Sequence, residues 1–169
     1  MKTLTALFGL LVFFTGATPA RAEVSMAVVT AKWFGPGTTL KPLGTNGVEK
    51  AVKQVLGADG RVRGWVFRTD EVPPAVKGMR GEIGVLTGLG TDQRITGVEV
   101  MAHREDLKWF NMLRAPFYRQ FEKLPAKGGD KPVDTVTGAT VSSRAIIKDV
   151  QSACQTVLAL PGVQAALAP

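Results

Sequence analysis

The chain is 169 residues long, carries a formal charge of +7 and contains one cysteine and one histidine. That inventory excludes an intramolecular disulfide, a cysteine-ligated iron–sulfur cluster, covalently attached haem and an ordinary zinc site, so redox chemistry would need an organic cofactor. The cations are scattered (Lys50, Arg61, Arg63, Arg80, Arg94, Lys108, Arg114, Arg119) without interleaved aromatics, which argues against nucleic acid and for a solvated basic surface; attraction to acidic redox partners or anionic headgroups is the sharper alternative.

Lys2, the apolar stretch Leu4 to Phe14 and the small residues ending in Ala20-Arg21-Ala22 have the order of a secretory signal peptide, with cleavage expected after Ala22. The apolar core falls short of the ~20 residues that a membrane-spanning helix needs. Residues 23–169 are then expected to be one soluble, exported (periplasmic) domain, with a short N-terminal extension before a core of about 60–158.

Val24 to Phe34 reads as a strand before the Gly35-Pro36-Gly37 break. Asn46 to Gly57 reads as a helix, with Val48, Ala51, Val52, Val55 and Leu56 at helical spacing and Asn46 and Gly57 as caps. Arg61 to Thr69 alternates, with Val62, Gly64 and Val66 opposite Arg63, Trp65 and Phe67, until Val72-Pro73-Pro74 breaks the strand. Glu82 to Leu89 and Arg94 to Ala102 form a hairpin around Thr91-Asp92-Gln93. Leu107 to Leu124 is aromatic-rich, and Pro116 confines its helix to the later half, where Phe117 and Phe121 are a turn apart. After an exposed loop, Ala126 to Pro132, the clearest helix runs from Ser142 to Leu160. Its stripe is Ile146, Ile147, Val150, Cys154, Val157 and Leu158, Pro161-Gly162 stops it, and a short loose helix can follow. The pattern predicts an α+β fold, a small antiparallel sheet with packed helices.

Chemistry concentrates in Pro132 to Arg144, PVDTVTGATVSSR. An extended segment ends in Thr137-Gly138-Ala139-Thr140 and turns directly into the last helix. Gly138 permits close backbone approach. The helix start offers unpaired N–H groups and the positive end of the dipole, and Thr140, Ser142 and Ser143 add hydroxyls, so a phosphate would be well placed here. The alternative is an ordinary cap, with Thr140 accepting from the N–H of Ser142 or Ser143.

The run from Asp134 through Thr137, Gly138 and Ala139 to Thr140 resembles the flavinylation motif of the FMN-binding domain family. That family includes the C subunit of sodium-pumping quinone reductase, the G subunit of Rnf complexes and the exported FMN domain of NosR-type regulators. The resemblance implies FMN joined through its phosphate to the Thr140 hydroxyl. Upstream, Lys77-Gly78-Met79-Arg80-Gly81 resembles the family's glycine-framed entry to a strand, with Met79 in place of an aromatic. His103-Arg104-Glu105 resembles a segment that approaches the isoalloxazine, which makes Glu105 a candidate flavin contact. Gly64 to Thr69 and the neighbouring prolines look closest to the NosR-type branch.

A threonine hydroxyl is a poor nucleophile without activation. The resemblance implies that a separate FMN transferase, using FAD and Mg²⁺, makes the bond, and the chain shows no triad of its own. The expected function is electron transfer between a membrane donor and an exported acceptor rather than substrate turnover. A NosR-like regulatory or assembly module and an exported binding protein without flavin are the alternatives. His103 reads as a strand-end surface residue, with a hydrogen bond to the flavin or a proton shuttle as alternatives, and Cys154 as a buried structural thiol rather than a redox one. Trp109, Phe110, Phe117 and Phe121 read mostly as core, with one of them able to stack on a flavin as well. Asp134 reads as a turn residue or a Mg²⁺ contact during modification.

Overall fold

The computed structural model describes residues 25–128 and 132–168. The signal-peptide reading of residues 1–22 lies outside that range. The framework is a five-stranded antiparallel meander in the order β1 (Thr39–Pro42), β2 (Lys53–Leu56), β3 (Val62–Arg68), β4 (Gly84–Gly90) and β5 (Ile95–Ala102). Helices pack around it, and the α+β expectation holds.

Helix α5 (Thr140–Leu158) covers one face of the sheet. Its stripe of Ile146, Val150, Cys154 and Val157, all fully buried, meets Trp65, Phe67, Val85 and Leu89 in the main core. Burying each such aliphatic side chain contributes roughly 1.5–3 kcal/mol. Burial pushes the Cys154 thiol up to about 12, so it packs as a small apolar side chain.

The other face is covered by α1 (Met26–Phe34), and here the expected strand proves to be a helix. Met26, Val29, Trp33 and Phe34 recur at helical spacing and pack against Val55, Val66 and Leu86. Apolar composition alone suggested extended chain, but period 3.6 buries these side chains together. The cross-strand pair Gly88 and Gly97 supplies the flat seat for the Trp33 indole. A Cβ at Gly88 would come within 2.8 Å of Trp33 Cε3, and one at Gly97 would collide with the same ring. Because both faces are covered, every residue of β4 is buried.

The stretch 46–57 divides instead of forming one helix. Only α2 (Gly47–Ala51) is helical, Asn46 makes no side-chain cap, and Lys53–Leu56 pairs between β1 and β3. The tertiary pairing overrides a local pattern in which adjacent Val and Leu residues fit either period. The aromatic stretch yields two short helices, α3 (Leu107–Phe110) and α4 (Ala115–Arg119), the second with Pro116 in its first turn. Helix α5 starts two residues earlier than its expected bound and ends at Leu158; Pro161 then opens a further helix, α6 (Pro161–Leu167), whose Val163 is fully buried. Proline suits the first turn of a helix as well as the end of one, because its missing N–H costs nothing there. Ala126, expected in an exposed loop, is buried.

Candidate functional site

Three connections converge at the N-terminal end of α5. The turn before β4 brings Met79, the exit from β5 brings Glu105, Asp106 and Trp109, and the motif brings Gly138 to Ser142. Together they enclose a cavity of about 370 Å³. Roomier hollows of about 520 Å³ lie beside Asp70, Lys77 and His103 and beside Lys32, Trp33 and Tyr118, but they are lined by charged surface residues and stand apart from the motif.

The motif enters along Gln120, which fixes the Asp134 backbone from both sides. The Asp134 N–H donates to Gln120 Oε1 at 2.9 Å, and Gln120 Nε2 donates to the Asp134 carbonyl at 3.4 Å. The turn then closes through Ser143. The Ala139 N–H donates to the Val136 carbonyl at 3.0 Å, the Val136 N–H donates to Ser143 Oγ at 3.3 Å, and that hydroxyl donates to the Ala139 carbonyl at 2.9 Å. Gly138, at φ +85°, makes the reversal, and Met112 packs so closely that a Cβ there would lie 2.7 Å from its sulfur.

Ala139 takes the cap position of α5, and Thr140 is its first residue. The Thr140 hydroxyl is therefore not the cap. It makes one long bond, donating to the Val136 carbonyl at 3.4 Å, and stands half-buried at the cavity wall. The first intrahelical bond runs from the Ser143 N–H to the Ala139 carbonyl at 2.9 Å, so the N–H groups of Thr140, Val141 and Ser142 precede the hydrogen-bond ladder. Donors of this kind and the dipole behind them favour an anion at Thr140.

Glu105 is 6% exposed. Its Oε1 accepts the Arg80 N–H at 2.7 Å, and its Oε2 accepts the Ser142 hydroxyl at 2.5 Å. Burial by itself would push the carboxyl up, but the bonds from Ser142 and from the Arg80 and Met79 amides, with His103 nearby, hold it below the ordinary range. The bonds also tie the three cavity-forming connections together. Asp106 caps α3, accepting the Lys108 N–H at 2.9 Å. The Lys108 ammonium lies 4.7 Å from the Trp109 ring centroid and steadies the indole.

The site residues read from sequence separate into two groups. Gly138, Ala139, Thr140, Ser142 and Glu105 line the cavity together. Asp134 and Thr137 stand exposed outside the lining, and Ser143 is buried behind the turn it closes. Of the aromatics, Trp109 faces the cavity, while Phe110, Phe117 and Phe121 are core. His103 lies outside the cavity and stacks on Phe110 at 3.7 Å between ring centroids. Sequence reasoning passed over Met112 and Val141. Their signal is exposure: of the six large hydrophobic residues exposed among those described, Met79, Trp109 and Val141 line the cavity and Met112 abuts Gly138.

The composition of the walls can be tested against FMN. The cavity falls in the ~300–1,000 Å³ range of small-molecule sites. Its walls offer apolar and aromatic surface for a flat ring system and a helix start with spare donors for a phosphate. Among the described residues no cluster of side chains is suited to a metal ion, and no helix is long and apolar enough to cross a membrane.

Comparison with known proteins agrees with this fit. Residues 78–155 match the model of the FMN-binding domain, a span that contains all three connections. The chain is also 34% identical, over 115 residues, to the G subunit of an ion-translocating oxidoreductase complex from Methanosarcina acetivorans, an alignment covering 63% of this chain and 58% of that protein. The chain thus spans somewhat under three fifths of that relative's length. Residues 78–155, the segment that builds the cavity, are similar to the FMN-binding domain family.

Proposed function

We propose that the protein carries FMN as a phosphoester on Thr140 and works as an exported electron-transfer protein between a membrane donor and an exported acceptor. The observation that carries the attachment is the Thr140 hydroxyl itself. It is spared from capping α5, held by one 3.4 Å bond, and set at the cavity wall beside free helix N–H groups. Likeness to one subunit of an ion-translocating oxidoreductase complex supports the electron-transfer role.

Bound FMN supplies the one- and two-electron chemistry that side chains lack. The chain's own residues bind and orient it. Trp109, Met79 and Val141 present apolar surface to the ring system, and the first turn of α5 faces the phosphate. Attachment is left to a separate transferase using FAD and Mg²⁺: Thr140 Oγ1 bonds to the phosphorus of the FMN half, AMP leaves, and the hydroxyl proton passes to the transferase or solvent.

The test is the denatured intact mass of the protein coexpressed with an FMN transferase, beside Thr140→Val. A gain of FMN less water, absent from T140V, is expected. An unmodified wild type, alongside a control protein that is modified, would overturn the attachment; a fully modified T140V would overturn the assignment to Thr140.

A further inference from the structure

We infer that Glu105 sets the reduction potential of the flavin, by holding a fixed negative charge against the cavity that receives the ring system; this rests on the function proposed above. Three observations carry it. The carboxylate is buried at the cavity wall, 6% exposed. Its oxygens are occupied by neutral donors, the Arg80 amide at 2.7 Å and the Ser142 hydroxyl at 2.5 Å, with His103 the cationic group whose charge acts on it. The Arg80 guanidinium is turned elsewhere, with Nη2 3.5 Å from Asp106, and the neighbouring Arg104 lines the separate hollow beside Asp70 and Lys77.

A neutral hydrogen bond stabilises a carboxylate without cancelling its charge. The rest of the wall is largely apolar (Met79, Trp109, Ala139, Val141), so water screens that charge poorly. Reduction places additional electron density on the ring system. A fixed anion alongside opposes it, and the potential falls. The charge also cannot move away. The backbone passes so close at Gly78 that a Cβ there would lie 2.8 Å from Glu105 Oε1, and the two hydrogen bonds pin the carboxylate between two chain segments.

Glu105 is thus both a clamp and a charge, and substitution separates the roles. Gln keeps the size, accepts the Arg80 N–H and donates to Ser142 Oγ, but is neutral. Ser142→Ala removes one bond of the clamp and keeps the charge. The experiment is a spectroelectrochemical titration of the FMN-loaded wild type, E105Q and S142A, after their masses establish loading. E105Q is expected to shift the reduced-to-oxidised ratio at fixed potential at least tenfold toward reduced flavin, about 30 mV for a two-electron couple. S142A is expected to shift it less than threefold. A loaded E105Q with an unchanged or lower potential overturns the inference, as does an S142A shift equal to that of E105Q, which would assign the effect to geometry. Failure of E105Q alone to load would also overturn it, placing Glu105 in attachment instead. A wild type without FMN defeats the proposed function first, and the masses reveal that before any potential is read.

Discussion

Replacing Gly138 by alanine tests the geometry of the turn that presents Thr140. Gly138 sits at φ +85°, where an L-residue pays for the approach of its Cβ to the backbone, roughly 1–2 kcal/mol. The added Cβ would also lie 2.7 Å from the Met112 sulfur and 2.8 Å from its Cε. Met112 is 41% exposed and flexible, so it can swing aside, and the backbone term dominates. A loss of about 1–2 kcal/mol corresponds to roughly 3–10 °C in the unfolding midpoint for a domain of this size. Thermal unfolding of the unloaded protein, followed by far-ultraviolet circular dichroism, reads it directly. Gly138→Asn should lose less, because asparagine visits the left-handed region more readily. Adding Met112→Ala to G138A should recover only a minor part. A midpoint for G138A within a degree of wild type would refute the backbone argument, and full recovery by M112A would assign the cost to the collision.

Trp109→Ala should leave stability within about 0.5 kcal/mol, since the indole is 48% exposed, yet raise the fluorescence of attached flavin by removing a stacked quencher; unchanged emission would place the ring system elsewhere. Asp149→Asn addresses a carboxyl that is buried on α5, with Oδ1 accepting the Val76 N–H at 2.8 Å and Oδ2 without a hydrogen-bond partner. Burial raises its pKa, opposed by the nearby Thr69 hydroxyl and the bond from the Val76 amide and reinforced by the charges of Asp70 and Glu82. The unfolded carboxyl then releases its proton first, near 3.8, so Asp149 makes stability fall as pH rises from there through the folded value. In D149N that part of the decline should vanish from urea-unfolding free energies measured across the window. An unchanged slope would show that Asp149 is not the source.

The sheet was legible in the sequence where alternation or a tight turn constrained it. The strand within residues 61–69 and the hairpin around Asp92 formed close to the reading, and so did the long helix, whose stripe from Ile146 to Leu158 spans about three and a half turns. The N-terminal segment was misread because Val28, Val29 and Thr30 favour strands locally, while what decides is a seat provided more than fifty residues away by Gly88 and Gly97. Residues 46–57 show the same limit: nothing local says that Val52 ends a helix and that Lys53 begins to pair with Val66. At the site, Gly138, Ala139 and Thr140 were readable as a contiguous motif. The apolar walls were not, because Met79, Trp109, Met112 and Val141 come from separate connections and look ordinary singly. Glu105 was readable as a candidate flavin contact through the family resemblance, but not as a clamp, since its bond partners are 25 and 37 residues away.

The location of the cavity follows from how the sheet is covered. Helix α5 buries one face and α1 the other, leaving β4 no surface on which a planar ligand could lie. Space for one remains where the connections leave the sheet, and there, among the described residues, exposed apolar surface gathers. Leaving Met79 71% exposed beside a half-exposed tryptophan is unfavourable for an isolated chain, because apolar surface facing water is stabilised when something covers it. A helix that merely needed a start could have used Ala139 and the Ser143 turn without such a rim. The rim, the uncommitted Thr140 hydroxyl and the spare N–H groups of α5 make sense together, as the apolar and anionic halves of one ligand's seat.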